Sequence, residues 1–309
     1  MAQQQLYYIR QQMSMLSRIK SYVYNYLVDH YPRIIIDRIW KKTYGRKMNW
    51  DNPIDINEKI QWLICYGDTS LWPTLADKYK VREYVTNLGY GHLLPELYGH
   101  WEDANDIDFD ALPDKFIIKC NHDCGSWQII DKKEIFDRKV IINKLNASLR
   151  RKFGYRNCEP HYNKIHPQII AEQFLESKQD SFSSSLVDYK VWCFDGKPYS
   201  IWVCYNRDHY GTDVNLYDLT WKVHPEYSVF TGYFRDGKGR CPKPKVLDEM
   251  LKAATALSKG QPEVRVDFYI VDGKLYFGEL TLTSSRGRMD FYTKDYLIEL
   301  GNQVKLPTE

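Results

Sequence analysis

Twenty residues near the C-terminus constrain the fold most: Val264–Thr283, VRVDFYIVDGKLYFGELTLT. Apolar side chains alternate at Val264, Val266, Phe268 and Ile270, the two-residue period of a strand with one buried face. Asp272-Gly273 is a turn signal, and a second β-prone run follows it. The stretch reads as a β-hairpin with Arg265, Asp267 and Glu279 pointing away from the core. Register decides whether these charges meet. A two-residue loop pairs Val271 with Lys274, sets Asp267 opposite Gly278 and leaves Glu279 on the other face. A three-residue connection with Gly273 as a left-handed bulge residue shifts the pairing by one. Asp267 then faces Phe277, and Glu279 lies diagonally across on the same face, roughly 7–8 Å away. The bulged turn is the expectation. It gathers Arg265, Asp267, Glu279, Thr281 and Thr283 on one surface, where two carboxylates can share a hard cation such as Mg²⁺. Taken alone, the stretch also reads as a surface hairpin with a solvated charged face.

The chain has 309 residues, 43% hydrophobic and 27% charged, enough for two or three packed subdomains of a soluble protein. A net charge of +3 is too small to point to nucleic acid. Its distribution is uneven: residues 1–50 hold nine of the 43 Lys/Arg and two of the 40 Asp/Glu, so the remainder is net negative. Seven cysteines are scattered without paired spacing, and neither a signal peptide nor an apolar run near 18 residues is evident. The expectation is a reduced, cytoplasmic enzyme. Cys120-Asn-His122-Asp-Cys124 lacks the second pair that a zinc site needs.

In chain order, residues 5–31 show helical spacing at Leu16, Ile19, Val23 and Leu27 until Pro32 interrupts. A second apolar patch at 34–40 leads into Lys41, Lys42, Arg46 and Lys47. Such basic amphipathic helices either pack on the protein's own core or lie on an anionic membrane. Asn57 is the expected N-cap of a helix running to Leu63, and Asp77 to Leu88 is a second helix, ended by Gly89. A strand over Phe116–Lys119 is followed by a small polar turn, 121–126, and a returning strand at 128–130. A strand-end lysine beside a loop with Gly125 and Ser126 suits phosphate, through point charge and accessible backbone N–H groups. Residues 131–153 read as a helix, 169–176 as a strand, and 188–197 as the start of another hairpin. Strands continue to about 230, and a helix at 247–259 precedes the Val264 hairpin. No internal repeat interrupts this pattern, which is that of an α+β chain with antiparallel hairpins.

Six segments in order then carry a resemblance: NEKIQWL (57–63), LADKYKVREYV (75–85), LPDKFIIKCNH (112–122), IIAEQFLE (169–176), DYKVWCFDGKP (188–198) and RVDFYIVDGKLYFGELT (265–281). Together they resemble the ATP-grasp superfamily and, more narrowly, its TupA-like family, named for teichuronopeptide synthesis. The resemblance implies an α+β ATP-grasp fold of antiparallel sheets with flanking helices. Its expected parts are a basic helical extension (1–50), a pre-grasp helical segment (51–115), a small subdomain (116–175) and a large subdomain with the metal site (176–309). It implies ATP and Mg²⁺. Lys78 and Lys119 would touch the phosphates, with Asn121, Gly125 and Ser126 in the loop closing over them. Glu172, Gln173, Phe174 and Leu175 would form the adenine hinge, and Lys190 would lie near the nucleotide. Asp267, Glu279 and Thr281 would hold the metal. Arg265 and Lys119 would act on the transferring phosphoryl group, and Arg286 and Arg288 would bind a substrate carboxylate.

Two departures stand out. The loop reads HDCGSW where the family is richer in glycine, and Asp123 there would repel phosphate unless it turns away. Thr281 stands where most ATP-grasp enzymes place an asparagine ligand. The activity implied is ATP-dependent carboxylate–amine ligation through an acyl phosphate, joining an amino acid or amine to a uronic acid of a bacterial surface polysaccharide. The expected place is the cytoplasm, at the inner face of the membrane. Two other classes compete. A glycosyltransferase would use the D-x-D pairs of Asp106, Asp108 and Asp110, and a non-catalytic nucleotide-binding module would need no chemistry.

Overall fold

The structure is a computed structural model that describes residues 17–134, 136–176 and 182–307. The part of the first expected helix before residue 17 lies outside the described residues. The helices α1 (17–30), α2 (Pro32–Tyr44), α3 (Ile56–Tyr66), α4 (Trp72–Ala76) and α5 (Val81–Asn87) come first. The helical run breaks at Tyr31, just before Pro32 as expected, and Pro32 then starts α2, where its missing N–H costs nothing. Ile35, Ile36 and Trp40 of α2 are buried in the protein's own core, so the second apolar patch is internal. The N-cap of α3 is Asp55, which accepts from the Glu58 N–H at 2.8 Å. Asn57, the expected cap, sits inside the helix. The helix expected from Asp77 begins properly at Val81, with the Asp77 carboxylate accepting from the N–H groups of Tyr79 and Lys80.

The small sheet consists of β1 (Leu97–Trp101), β2 (Lys115–Cys120), β3 (Gln128–Asp131) and β4 (Ile169–Gln173), in the order β1-β4-β2-β3, all antiparallel. It takes in Leu97–Trp101, upstream of the expected start at 116. Helix α6 (Arg138–Leu149), shorter than the expected 131–153, covers one face. Ile141 and Leu145 meet Phe116, Ile118 and Ile130 in a core of their own. The large sheet consists of β5 (Asp188–Phe194), β6 (Lys197–Tyr205), β7 (Thr212–Tyr217), β8 (Phe234–Asp236), β9 (Val264–Val271) and β10 (Lys274–Thr281). Its order is β10-β9-β5-β6-β7-β8, antiparallel except for the β7–β8 pair. Helix α7 (Leu247–Leu257) crosses β5, β6 and β9, and α8 (Lys294–Gln303) packs on α3. The fold is thus α+β, with each sheet packed on its own helices.

The β9–β10 register corrects the expected turn. Val271 pairs with Lys274 across a two-residue loop. Asp272 (φ 50°) and Gly273 (φ 79°) both take left-handed backbone, which the primed turns of short hairpins demand. The bulge lies instead at Gly278. Phe277 pairs with Phe268, Gly278 is skipped, and Glu279 pairs directly with Asp267. A Cβ at Gly278 would stand 2.9 Å from the Asp267 carbonyl oxygen, so the tight side of the bulge has room only for glycine. The two residues are therefore directly opposed, with Cβ atoms at the spacing of such a pair, roughly 4.5–5.5 Å. They share a face, as expected, but through a different irregularity.

No helix among the described residues is long and apolar enough to cross a membrane.

Candidate active site

A cleft of about 590 Å³ opens between the two sheets. Its small-sheet wall carries Lys119 and Glu172, with Phe174 and Leu175 beyond the end of β4. Its large-sheet wall carries Asp188, Lys190, Tyr269 and Glu279, with Arg207 at the end of β6. Lys78 and Arg82 reach in from the segment that includes α5. Apolar side chains from both sides, Leu94, Ile117, Ile129 and Leu186 among them, line part of the cavity. Convergent polar groups on a largely apolar cavity are the general form of a ligand site.

The large-sheet wall is a bonded lattice of charge. Arg265 Nε and Nη2 donate to the two oxygens of Asp267, each at 2.7 Å. Lys190 Nζ donates to Asp267 Oδ2 at 2.7 Å and lies 3.0 Å from Asp188 Oδ2, which also accepts from Arg207 at 2.8 Å. Two carboxylates (Asp188, Asp267) thus meet three fixed cations (Lys190, Arg207, Arg265), and Glu279 stands beside them without an ion pair of its own. Alternation alone brings this about, because Asp188 and Lys190 are two residues apart on β5, and Arg265 and Asp267 two apart on β9. Burial opposes ionisation of Asp188, but Lys190 and Arg207 outweigh it and hold the carboxyl below its ordinary pKa. For Glu279, burial is likewise outweighed, by Lys78, Lys190 and Arg265, and its pKa is lowered. Burial also works against the Lys190 charge, while Asp188 and Asp267 keep it protonated well past its usual range.

The other wall is looser. Lys119 Nζ contacts Glu172 Oε1, and Arg82 stands 3.9 Å from the other oxygen. The 121–127 loop is pinned from behind. Asn121 is fully buried: its amide donates to Asp77 at 2.9 Å and to the His166 carbonyl at 3.0 Å, and accepts from Gln168 N–H at 2.7 Å. Its own carbonyl accepts from the Lys78 N–H. Ser126 Oγ accepts from Cys120 N–H and donates to the Asp123 carboxylate, while Lys78 Nζ donates to the Asp123 carbonyl at 2.7 Å. Gly125 has φ +109°, a conformation that only glycine adopts easily. Asp123 has not left the cleft: it remains in the lining, with its carboxylate held by Ser126.

Several expected site residues lie elsewhere. Asn121 anchors the loop and does not line the cleft. Asp267, 1% exposed, and Arg265 lie behind the lining too, with Asp267, Ser284 (2.7 Å) and Thr281 (3.2 Å) taking up the arginine's donors. Thr281 Oγ1 donates to Glu279 Oε1 at 3.3 Å, so it steadies that carboxylate. Thr283 is buried against Glu159. Arg286 is exposed on a turn where Ser285 (φ 45°) and Arg286 (φ 63°) are both left-handed, and its charge reaches Cys124 in the cleft loop. Arg288 turns away, toward Glu159, Tyr44 and Cys158.

Sequence reasoning missed Arg82, Asp188, Arg207 and Tyr269 in the lining. Arg82 was legible as the i+4 neighbour of Lys78, and Asp188 as the i−2 neighbour of Lys190. It also missed two buried amides of α3. Asn57 bonds both backbone groups of Met289 (2.9 and 3.1 Å), and Gln61 donates to the Arg286 carbonyl at 2.6 Å. These bonds fix the turn that displays Arg286.

The donors at Asp267 and Glu279 are hard oxygens and suit Mg²⁺. Asp267 Oδ1 takes one hydrogen bond and keeps a lone pair, whereas Oδ2 takes two. Among the described residues no group of three or more His, Cys, Asp or Glu could hold a metal unaided. A cation there would draw its further ligands from outside these side chains, as Mg²⁺ usually does. The rival D-x-D stretch has no such setting. Asp108 accepts from the N–H groups of Asp110 and Ala111, and Asp110 forms a two-point pair with Arg138, outside the cleft.

Comparison with known proteins gives one family. The family described as TupA-like ATPgrasp matches residues 58–305. No curated protein matches the sequence. Among solved structures, a D-alanine–D-alanine ligase from Bacillus anthracis complexed with ATP is 16% identical, over 75% of this chain and 65% of that one, at a TM-score of 0.43. An L-amino acid ligase from Bacillus licheniformis is 13% identical, over 82% of this chain and 55% of that one, at 0.46. The ATP-grasp ligase PsnB complexed with its minimal precursor is 12% identical, over 79% and 68%, at 0.40. The chain spans 65% and 55% of the length of the first two of these ligases.

Proposed function

The chain belongs to the TupA-like ATP-grasp family, and from that premise we propose that it is an ATP-dependent carboxylate–amine ligase working through an acyl phosphate. One observation carries the reading: Asp267 and Glu279 are registered opposite each other beside a cleft entered by Lys78, Lys119 and Lys190. This is a charge pattern for a polyphosphate bound with a hard cation.

In this reading the apolar part of the cleft, with Phe174 and Leu175, takes the base, and Glu172 and Gln173 offer it hydrogen-bonding groups. Lys78, Lys119 and Lys190 hold the phosphates, and the 121–127 loop covers them. Asp267 and Glu279 would hold Mg²⁺, which when bound supplies charge neutralisation at the phosphates. A substrate carboxylate oxygen attacks the terminal phosphorus, and the bond to ADP breaks. An amine nitrogen then attacks the acyl carbon, phosphate leaves with the C–O bond electrons, and the nitrogen loses a proton. Fixed positive charge where negative charge gathers is the main contribution asked of the protein. Arg265 acts by holding Asp267 in place, and Arg286 is our choice for the substrate carboxylate. The family's link to teichuronopeptide synthesis favours a uronic acid of a surface polysaccharide as that carboxylate and an amino acid or amine as the nucleophile.

The test is ADP release from ATP and Mg²⁺ with paired panels of uronic acids and amines. Release that needs both partners, with an amide product by mass spectrometry, is the expected result. Transfer from a sugar nucleotide without ADP formation would overturn the reading.

A further inference from the structure

Helix α1 carries two apolar stripes, and they meet different surroundings. Tyr24, Leu27 and Val28 pack on the core. Ile19, Tyr22, Val23 and Tyr26 recur at i, i+3, i+4 and i+7 along another face, where they are between 47% and 73% exposed. Contiguous exposed apolar side chains on a helix mark an interaction surface.

The surrounding charge says what kind of surface would fit it. Residues 1–50 hold nine Lys/Arg and two acids. Both acids accept hydrogen bonds from the chain's own side chains, though Asp29 stays exposed. Asp29 accepts from Tyr155 (2.6 Å) and Asn163 (3.2 Å), and Asp37 from Trp50 (2.7 Å). Among the described residues, Arg46 is the one basic side chain from 18 to 47 with an ion-pair partner, Glu58. Arg18, Lys20, Arg38, Lys41, Lys42 and Lys47 are exposed. A second copy of the chain would bring these unpaired cations against one another, because a two-fold interface matches a surface with itself. An anionic bilayer would not. Tyrosine rings settle at the level of lipid headgroups, aliphatic side chains enter just below them, and lysines and arginines pair with lipid phosphates.

We propose that α1 docks the protein peripherally on an anionic membrane surface, with Ile19, Tyr22, Val23 and Tyr26 at the interface. This goes beyond the ligase reading and does not depend on it.

The experiment is co-sedimentation of the full chain with phosphatidylglycerol-containing vesicles and with pure phosphatidylcholine vesicles, at low and high salt. The expected result is binding to the anionic vesicles alone, weakened by salt. It should fall roughly tenfold in the double variant Tyr22→Glu/Val23→Glu, through lost apolar contact and added like charge. Lys41→Glu/Lys42→Glu, on exposed positions of α2, should weaken binding while leaving the thermal melt unchanged. Failure of the wild-type chain to bind anionic vesicles, or equal binding to both kinds, would overturn the proposal. So would a dimer in sedimentation equilibrium that Tyr22→Glu/Val23→Glu dissociates while vesicle binding persists, since the face would then serve self-association.

Discussion

On the large-sheet side of the cleft, Asp267 accepts three charged hydrogen bonds and is 1% exposed. On the small-sheet side, Lys119 meets a single carboxylate, and Trp127 and Ile129 stand 57% and 45% exposed. The first wall is held by its own charges, with cations already in place where phosphate would arrive. The second has few bonds into the cleft and a loop tied down only at its back. A preorganised floor needs no rearrangement when ligand charge arrives, whereas an open wall leaves room to close. Mutations in the first wall should therefore read as lost stability, and mutations in the second as lost affinity.

Asp267→Asn should have the largest effect. It removes the charge partner of Arg265 and one of the two partners of Lys190, a class of change that costs about 3–5 kcal/mol. Urea denaturation should show that loss, together with loss of ATP binding. A fully stable variant would mean that the floor is not held by its charges. Gly278→Ala comes next. Its Cβ would meet the Asp267 carbonyl at 2.9 Å and Tyr269 at 3.1 Å, so the bulge must shift. An overpacking cost of about 1–3 kcal/mol is expected, with the two carboxylates pulled out of register. A variant with wild-type stability and wild-type ATP affinity would show that the bulge does not set the site.

Acid is a graded probe of the same wall. Asp188 and Glu279 have folded pKa values below the ordinary carboxylate range. Their stabilisation is therefore complete above the unfolded values, about 4, and is lost as pH falls through the folded ones. Urea midpoints measured from pH 7 down to pH 3 should fall below about pH 5, with a slope of at most about 1.4 kcal/mol per pH unit for each group. Replacing Glu279 with Gln should flatten part of that slope. The smallest expected effect is that of Lys119→Ala on the open wall. Stability should change by less than about 1 kcal/mol, because the pair is partly solvated. ATP affinity should nonetheless drop roughly tenfold. A large stability loss instead would erase the contrast between the walls.

Much of this was readable from local patterns. Alternation placed Arg265 and Asp267 on one face, and the Lys119 strand with its small loop was evident from residue types. The register was harder. A glycine in the turn and a glycine in the strand both invite a bulge, and only the packing of Gly278 against the Asp267 carbonyl decides between them. Arg265 illustrates a second limit. Its distance of two residues from Asp267 announced an ion pair, yet the expectation sent its charge to phosphate. The amides of α3 mark a third. Asn57 reads as an N-cap and Gln61 as the polar side of an amphipathic helix, but their partners lie 225 or more residues away. No local pattern contains a contact of that range. Asn121 was misplaced for the same reason, since Asp77 and Gln168 come from distant segments.

The most direct test of the central claim is calorimetric titration of the full chain with ATP, with and without Mg²⁺, alongside Glu279→Gln. Glu279 reaches the cleft from the floor and is not part of the Arg265–Asp267–Lys190 lattice, so its loss should spare the fold. The account predicts Mg²⁺-dependent binding by the wild-type chain, and binding that is weaker and largely Mg²⁺-independent in the variant. A folded wild-type chain that ignores ATP, or a variant that keeps full Mg²⁺-dependent affinity, would contradict it.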